Sequence, residues 1–254
     1  MGDPLAPLTE LPGVAAASDQ AREALGRAHR HRANLRRWPV TAAEAALRAA
    51  RASAVLERRG LERDEQLDEQ LDISATSDPV FAGALRVAQA LEGGETNLVG
   101  VWQRAPLQAL ARLHMLAAAD RVDESRLGRP RAAADVGPRL ELLATIVAGG
   151  TRAPAPVIAA IAHGELLTLA PFGCADGVVA RAVSRLVTIA TGLDPHGLGV
   201  PEVSWMRHAA DYREAARGFA AGTPDGIAAW LVLCCRAMRT GAQEALSIAE
   251  SLAE

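Results

Sequence analysis

The chain has 254 residues with a formal net charge of −3, half of them apolar and 22% charged. That is long enough to bury a sizeable core as one domain or two small ones. The balance excludes a disordered chain, and the slight negative charge argues against a non-specific nucleic-acid binder. All 27 strong bases are arginine, since the sequence holds no lysine. Ala and Arg richness of this kind fits a high-GC, actinobacterial-like bacterial coding bias. Strand signals are nearly absent, and helical signals are strong. A first helix is expected from about Ser18 to Trp38, opened by Ser18-Asp19 and stopped before Pro39. A second runs from Thr41 to about Arg59. It opens on Thr-Ala-Ala-Glu, a capping box of Thr41 and Glu44, and closes at Gly60. The acidic run LERDEQLDEQLDIS reads as a solvated face or loop.

Further helices are expected at Asp78 to Leu91, stopped by Gly93-Gly94, and at Pro106 to Asp120. The second of these carries an apolar stripe of Leu107, Leu110, Leu113 and Leu116–Ala117. The next span Pro138 to Ala148, Ala155 to Leu169, Asp176 to Ala190 and Pro201 to Ala221, and a last one starts near Pro224. The reading is an all-α fold of about nine helices in one compact unit. Residues 1–103 supply amino-terminal helices packed on a core of 104–254.

Several candidate sites fail on spacing. His29 and His31 lie two apart, which turns them to different sides of a helix, and they are expected at the surface. His163 and Glu165 form an H-x-E, but no P-C-x-x-C follows, as a zinc deaminase needs. Cys234-Cys235 reads as core packing, and three cysteines make neither a disulfide framework nor a metal site. GLDPHGLG follows a helix, so it is no dinucleotide fingerprint. With no signal peptide or membrane-length apolar run, the chain is expected to be cytoplasmic, bound to neither membrane nor nucleic acid.

The stretch LAPFGCADGVVARAV opens a long helix after a Pro-Phe turn and two glycines. Such a loop commonly receives an anion at the helix start. It resembles the H-P-F-x-[D/E]-G-N-G-R-x-x-R motif of the Fic (Fido) family of protein nucleotidyl transferases. Pro171, Phe172, Gly177 and Arg181 match. The order of outlying features is kept: Leu113-His114, Gly128 and Arg131, Ala159-Ala160-Ile161-Ala162-His163, Tyr212 and Trp230. The segment 41–59 is similar to the family's inhibitory helix, [S/T]-x-x-x-E-[G/N], through Ser53 and Glu57, with Arg58 in place of the small residue.

The departures fall on the chemistry that the resemblance implies. Ala170 stands at the position of the family's general base, and loss of such a base forfeits about two to four powers of ten in rate. Cys174 stands where an acid would hold magnesium, and is a poor ligand for that ion. Ala175-Asp176-Gly177 replaces the phosphate cradle, with Asp176 serving as N-cap of its helix, and Val178 replaces the first arginine. A helix start also lowers a thiol pKa, which leaves Cys174 open as a new nucleophile. Only AAADVGPRLEL separates Arg131 from the next helix, so the family's flap hairpin is expected to be shortened or absent. The nucleotide-pocket remnant is Asp176, Gly177 and Arg181, with Glu57 expected to pair with Arg181. The resemblance thus implies a degenerate member without catalytic residues, metal or cofactor, acting as a scaffold or regulatory binder of an unnamed protein partner. Three questions stay open: a divergent transferase using ATP or another nucleotide with Mg, a resemblance of fold alone, and a homodimer.

Overall fold

The structure is a computed structural model that describes residues 2–59, 78–92 and 97–252. The acidic run, Gly60 and Gly93-Gly94 lie outside the described residues. Among the described residues there is no β-strand, and twelve α-helices follow one another. They are α1 (Ala6–Thr9), α2 (Val14–Arg30), α3 (Arg32–Arg59), α4 (Pro79–Leu91), α5 (Leu98–Arg104) and α6 (Pro106–Ala118). After a 3-10 turn come α7 (Val136–Thr145), continued by a π turn (Ile146–Gly150), then α8 (Ala155–Leu169) and α9 (Asp176–Ala190). The chain closes with α10 (Pro201–Arg207), α11 (Ala209–Ala220) and α12 (Pro224–Ser251).

Twelve replaces the expected nine for local reasons. The short α1 and α5 carry too few residues for a periodic signal, and the segment 201–221 is broken at His208. The expected stop before Pro39 is present as a break at the non-helical Arg37 (φ −127°, ψ 21°), and a second helical run of α3 starts there with Pro39 in its first turn, ahead of the expected start at Thr41. Proline in a first turn loses no hydrogen bond, because that N–H has no intrahelical partner. Thr41 and Glu44 therefore do not form a capping box. Thr41 is buried inside α3, and Glu44 accepts from Arg48 Nε at 2.7 Å. The α4 start is as expected: the Asp78 carboxylate accepts the amides of Val80 and Phe81, both at 3.1 Å. On α6 the stripe is buried at Leu110, Leu113 and Ala117, but Leu107 is exposed.

The long α12 packs against α2, α8, α10 and α11, while α3 packs against α4, α9 and α10. The main core draws on α2, α3 and α4 as well as on α6, α8, α9 and α12. At the α4–α6 crossing a Cβ on Gly83 would lie 2.1 Å from the Ala117 carbonyl oxygen, so only glycine permits that approach. In α8 apolar residues occupy every side, as expected of a helix enclosed by others. Its neighbour α9 is buried from Asp176 through Thr188. These two helices, joined by residues 170–175, form the centre that positions the site. Only residues 132–135 separate Arg131 from α7, and no hairpin fits there.

Candidate functional site

The loop between α8 and α9 is set by three left-handed residues: Ala170 (φ 45°), Gly173 (φ 71°) and Ala175 (φ 57°). Ala170 ends α8 by donating its amide to Leu166 O at 3.1 Å. Arg131 ties the loop to the chain ahead of α7. Its guanidinium donates to the carbonyls of Leu169 (2.8 Å) and Ala170 (3.0 Å), and its own amide donates to Pro171 O at 2.7 Å. The His114 ring lies flat on Phe172, with centroids 4.0 Å apart. Gly128 N–H donates to His114 Nδ1 at 2.9 Å, which places the ring proton on Nε2. Burial lowers the pKa of this imidazole, so the ring stays neutral.

The ion pair between Glu57 and Arg181 is formed. Arg181 Nη2 lies 3.3 Å from Glu57 Oε2, and its Nε and Nη2 donate to Ser53 Oγ (2.8 Å) and Ser53 O (3.0 Å). The Arg181 side chain is 3% exposed and that of Glu57 12%. Glu57 Oε2 also accepts the Val178 amide at 3.1 Å, at the start of α9, and Arg121 Nη1 reaches Glu57 Oε1 at 3.4 Å. One carboxylate thus holds two guanidinium groups and a helix-start amide, the donor set that a helix terminus offers an anion. Gly177 makes this approach sterically possible: a Cβ there would sit 2.5 Å from Glu57 Oε2. Arg121 and the Val178 amide were not foreseen from sequence. Arg121 follows α6 in an irregular stretch, where no spacing marks it, and a main-chain donor carries no residue signature.

Asp176 corrects an expectation. It is the first residue of α9 rather than its cap, and the cap position is Ala175 with no side-chain bond. The Asp176 carboxylate turns back into the loop, accepting the Phe172 amide at 2.8 Å. Burial is the main force that raises its pKa to about 6, with Glu57 adding to it and the loop amides opposing. Cys174 is half-buried, and burial raises its pKa rather than the helix start lowering it, so it is not an activated thiol.

His163 is fully buried among Trp205, Tyr212 and Trp230, with Nε2 2.7 Å from the Tyr212 hydroxyl oxygen. Burial, and then the charge of Arg181, lower its pKa well below the ordinary value. Trp230 Nε1 donates to Ala160 O at 2.8 Å. Glu165 points elsewhere, into a two-bond contact with Arg139 at 2.7 and 2.9 Å, so the H-x-E residues do not converge. No group of three or more His, Cys, Asp or Glu suited to a metal exists among the described residues. For magnesium the loop fits poorly, with a thiol at residue 174, Asp176 bonded to the Phe172 amide and Glu57 bonded to Val178 and Arg181. For a phosphate-like anion the donors fit, but Glu57 already uses them. No helix among the described residues is long and apolar enough to cross a membrane.

No family model matches the sequence, and no curated protein matches it. Among solved structures, a Fic family protein from Desulfovibrio desulfuricans G20 aligns with a TM-score of 0.72. It covers 93% of this chain and 74% of that chain at 18% identity. The all-α architecture, the helix–loop–helix of α8 and α9 and this alignment together establish that the chain has the Fic fold.

Proposed function

We propose that the chain is a degenerate Fic-fold protein that does not catalyse nucleotidyl transfer and acts as a regulatory or scaffold protein toward a protein partner. One observation carries this reading: Ala170 stands at the position the resemblance gives to the general base, while Glu57 occupies the donors of Arg181 and Val178. An alanine has no proton to exchange, and a carboxylate in the anion site opposes a phosphate electrostatically. Residue 174 adds a thiol where a magnesium ligand would be needed. The four residues between Arg131 and α7 leave no hairpin to hold a target chain in register.

The test is titration calorimetry of the purified chain with ATP, GTP and CTP, with and without magnesium, repeated on Glu57→Gly. A labelled-nucleotide transfer assay runs beside it. The expected result is no labelled product from either protein. Wild-type binding is expected to be weaker than about 1 mM. Transfer of label by the wild-type chain would refute the reading.

A second reading, a divergent transferase, draws on Asp176, whose buried carboxyl has a pKa of about 6 within the loop. It requires labelled product that disappears in Asp176→Asn.

A further inference from the structure

The last turn of α2, the kink of α3 and the connection between α9 and α10 meet at a second cluster of charged groups. Asp194 is 4% exposed, and its carboxylate accepts the amides of Leu198 (2.9 Å) and Gly199 (2.8 Å). It also accepts His29 Nε2 at 2.7 Å, so His29 is no surface residue, contrary to the expectation from spacing. His196 lies flat on Trp38, with centroids 4.0 Å apart and planes within 10°, and its centroid is 5.5 Å from that of His29. Arg185 of α9 donates to the carbonyls of Gly197 (2.6 Å) and Gly199 (2.7 Å) and faces Glu202 of α10 at 3.5 Å. Beneath these groups α12 contributes the apolar Ala242, Ala245 and Leu246. Charged and titratable groups of the cluster are Asp194 and His196 from the connection, His29 from α2, Arg185 from α9 and Glu202 from α10, and Glu92 at the end of α4 also feels the charge of Arg185.

One carboxylate serves two imidazoles here. We propose that this cluster is a proton-operated clasp on α3: it is closed while His29 bonds Asp194 and His196 is neutral, and it loosens when His196 takes a proton. The added charge sits 5.5 Å from His29 and on the same connection that Arg185 already holds. The negative charge of Asp194 favours that proton, but Asp194 is already shared with His29 and two amides, and burial and His29 oppose it more strongly. The Trp38 face offers a cation some attraction, but burial and His29 outweigh it, and the His196 pKa is lowered on balance. Trp38 begins the part of α3 beyond the kink, and that part runs unbroken to the residues that carry Ser53 and Glu57. The clasp therefore acts on the seating of the same helix that fills the loop site, and it does so whether or not the chain is an enzyme.

The sign follows from linkage. A histidine whose folded pKa is lowered binds its proton more readily when released, so the closed state loses stability as pH falls below the ordinary imidazole value. The test is hydrogen exchange of the full chain at pH 7.5 and 5.0, corrected for the intrinsic pH dependence, on wild type and His196→Phe. Phenylalanine keeps a ring on Trp38 and cannot be protonated. The other five histidines are common to both proteins, so the difference isolates His196. We expect residues 32–45 and 191–200 of the wild type to lose about tenfold or more in protection on acidification, and those of His196→Phe to keep it. Equal losses in the two proteins, or none in the wild type, would overturn the proposal. A wild-type NMR titration gives an independent check should the variant fail to fold. A His196 ring that titrates as a free imidazole, with no response from the His29 ring, also overturns it.

Discussion

Glu57 Oε2 accepts the Val178 amide at 3.1 Å and lies 3.3 Å from Arg181 Nη2, so one carboxylate oxygen of α3 reaches both the start of α9 and its second turn. The pair is largely removed from water, and stranding one charge of such a pair costs about 3–5 kcal/mol. Arg181→Leu is expected to lose stability in that range, since it also frees the Ser53 carbonyl and hydroxyl. The double variant Glu57→Leu with Arg181→Leu should lose clearly less than the sum of the two single ones. Urea denaturation of all four proteins measures the cycle. Additive losses would show that the pair is not coupled.

Gly177→Ala tests the same contact from the side of α9. Its Cβ would come within 2.5 Å of Glu57 Oε2, and both guanidinium nitrogens of Arg181 lie near 3 Å. An overpacked site of this kind typically costs about 1–3 kcal/mol. The loss should shrink when Glu57 is first replaced by glycine, because the closest atom is then gone. Equal losses in the two backgrounds would place the strain elsewhere.

Ala170 carries a side chain at φ 45°, a conformation that favours glycine. Ala170→Gly is expected to stabilise the chain by up to about 1 kcal/mol, the relief of the left-handed strain less the added freedom of the unfolded chain. A thermal melt decides it, with a rise of about 2–4 °C corresponding to 1 kcal/mol at this chain length. A lowered Tm would mean that the Ala170 methyl group is a packing contact of more value than the strain.

Asp176 and the buried histidines give opposite pH trends. A carboxyl whose folded pKa is raised from 3.8 to about 6 binds more protons folded than unfolded between those values, so it lowers stability as pH rises through them. His114 and His163 are lowered by burial, so their contribution is present above the ordinary imidazole pKa and is lost as pH falls below it. Asp176→Asn keeps an oxygen for the Phe172 amide and removes the charge. It should raise stability at pH 7 by about 1–2 kcal/mol, allowing for relaxation around the buried group, and much less at pH 4. Denaturation midpoints at both pH values provide the measurement. An equal effect at the two would show that Asp176 does not titrate in the folded chain.

The limits of α4, α8 and α9 were legible because local chemistry fixes them. Asp78-Pro79 opens one, Pro154 and Pro156 open another, and Pro171 bars extension of α8 past Ala170. Pro39 marked the break, which falls at Arg37, but the start at Thr41 was placed too late, because a proline fits the first turn of the run that follows. At the site, Glu57 could be paired with Arg181 because the family resemblance implies that pair, whereas the bonds from Arg181 to Ser53 were not foreseen. Asp176 could not be oriented, since whether a carboxylate at a helix start faces its own amides or the preceding loop depends on the φ of Ala175. His29 was misplaced for a related reason. Helical spacing tells two neighbours apart but does not say that a buried Asp194 from a distant connection will meet one of them.

The interlock of Glu57, Arg181 and Gly177 has a consequence for how this sequence can drift. Replacing Glu57 leaves the buried Arg181 guanidinium with only the neutral acceptors of Ser53, replacing Arg181 leaves Glu57 with Arg121 and one amide, and enlarging the glycine displaces both. Each single step away from the trio passes through a less stable chain, while a change of two residues together escapes most of that cost. Such a group persists under selection for folding alone. Its presence in a Fic fold therefore records how the helices are fastened, and the persistence of such an ion pair is by itself no measure of chemistry.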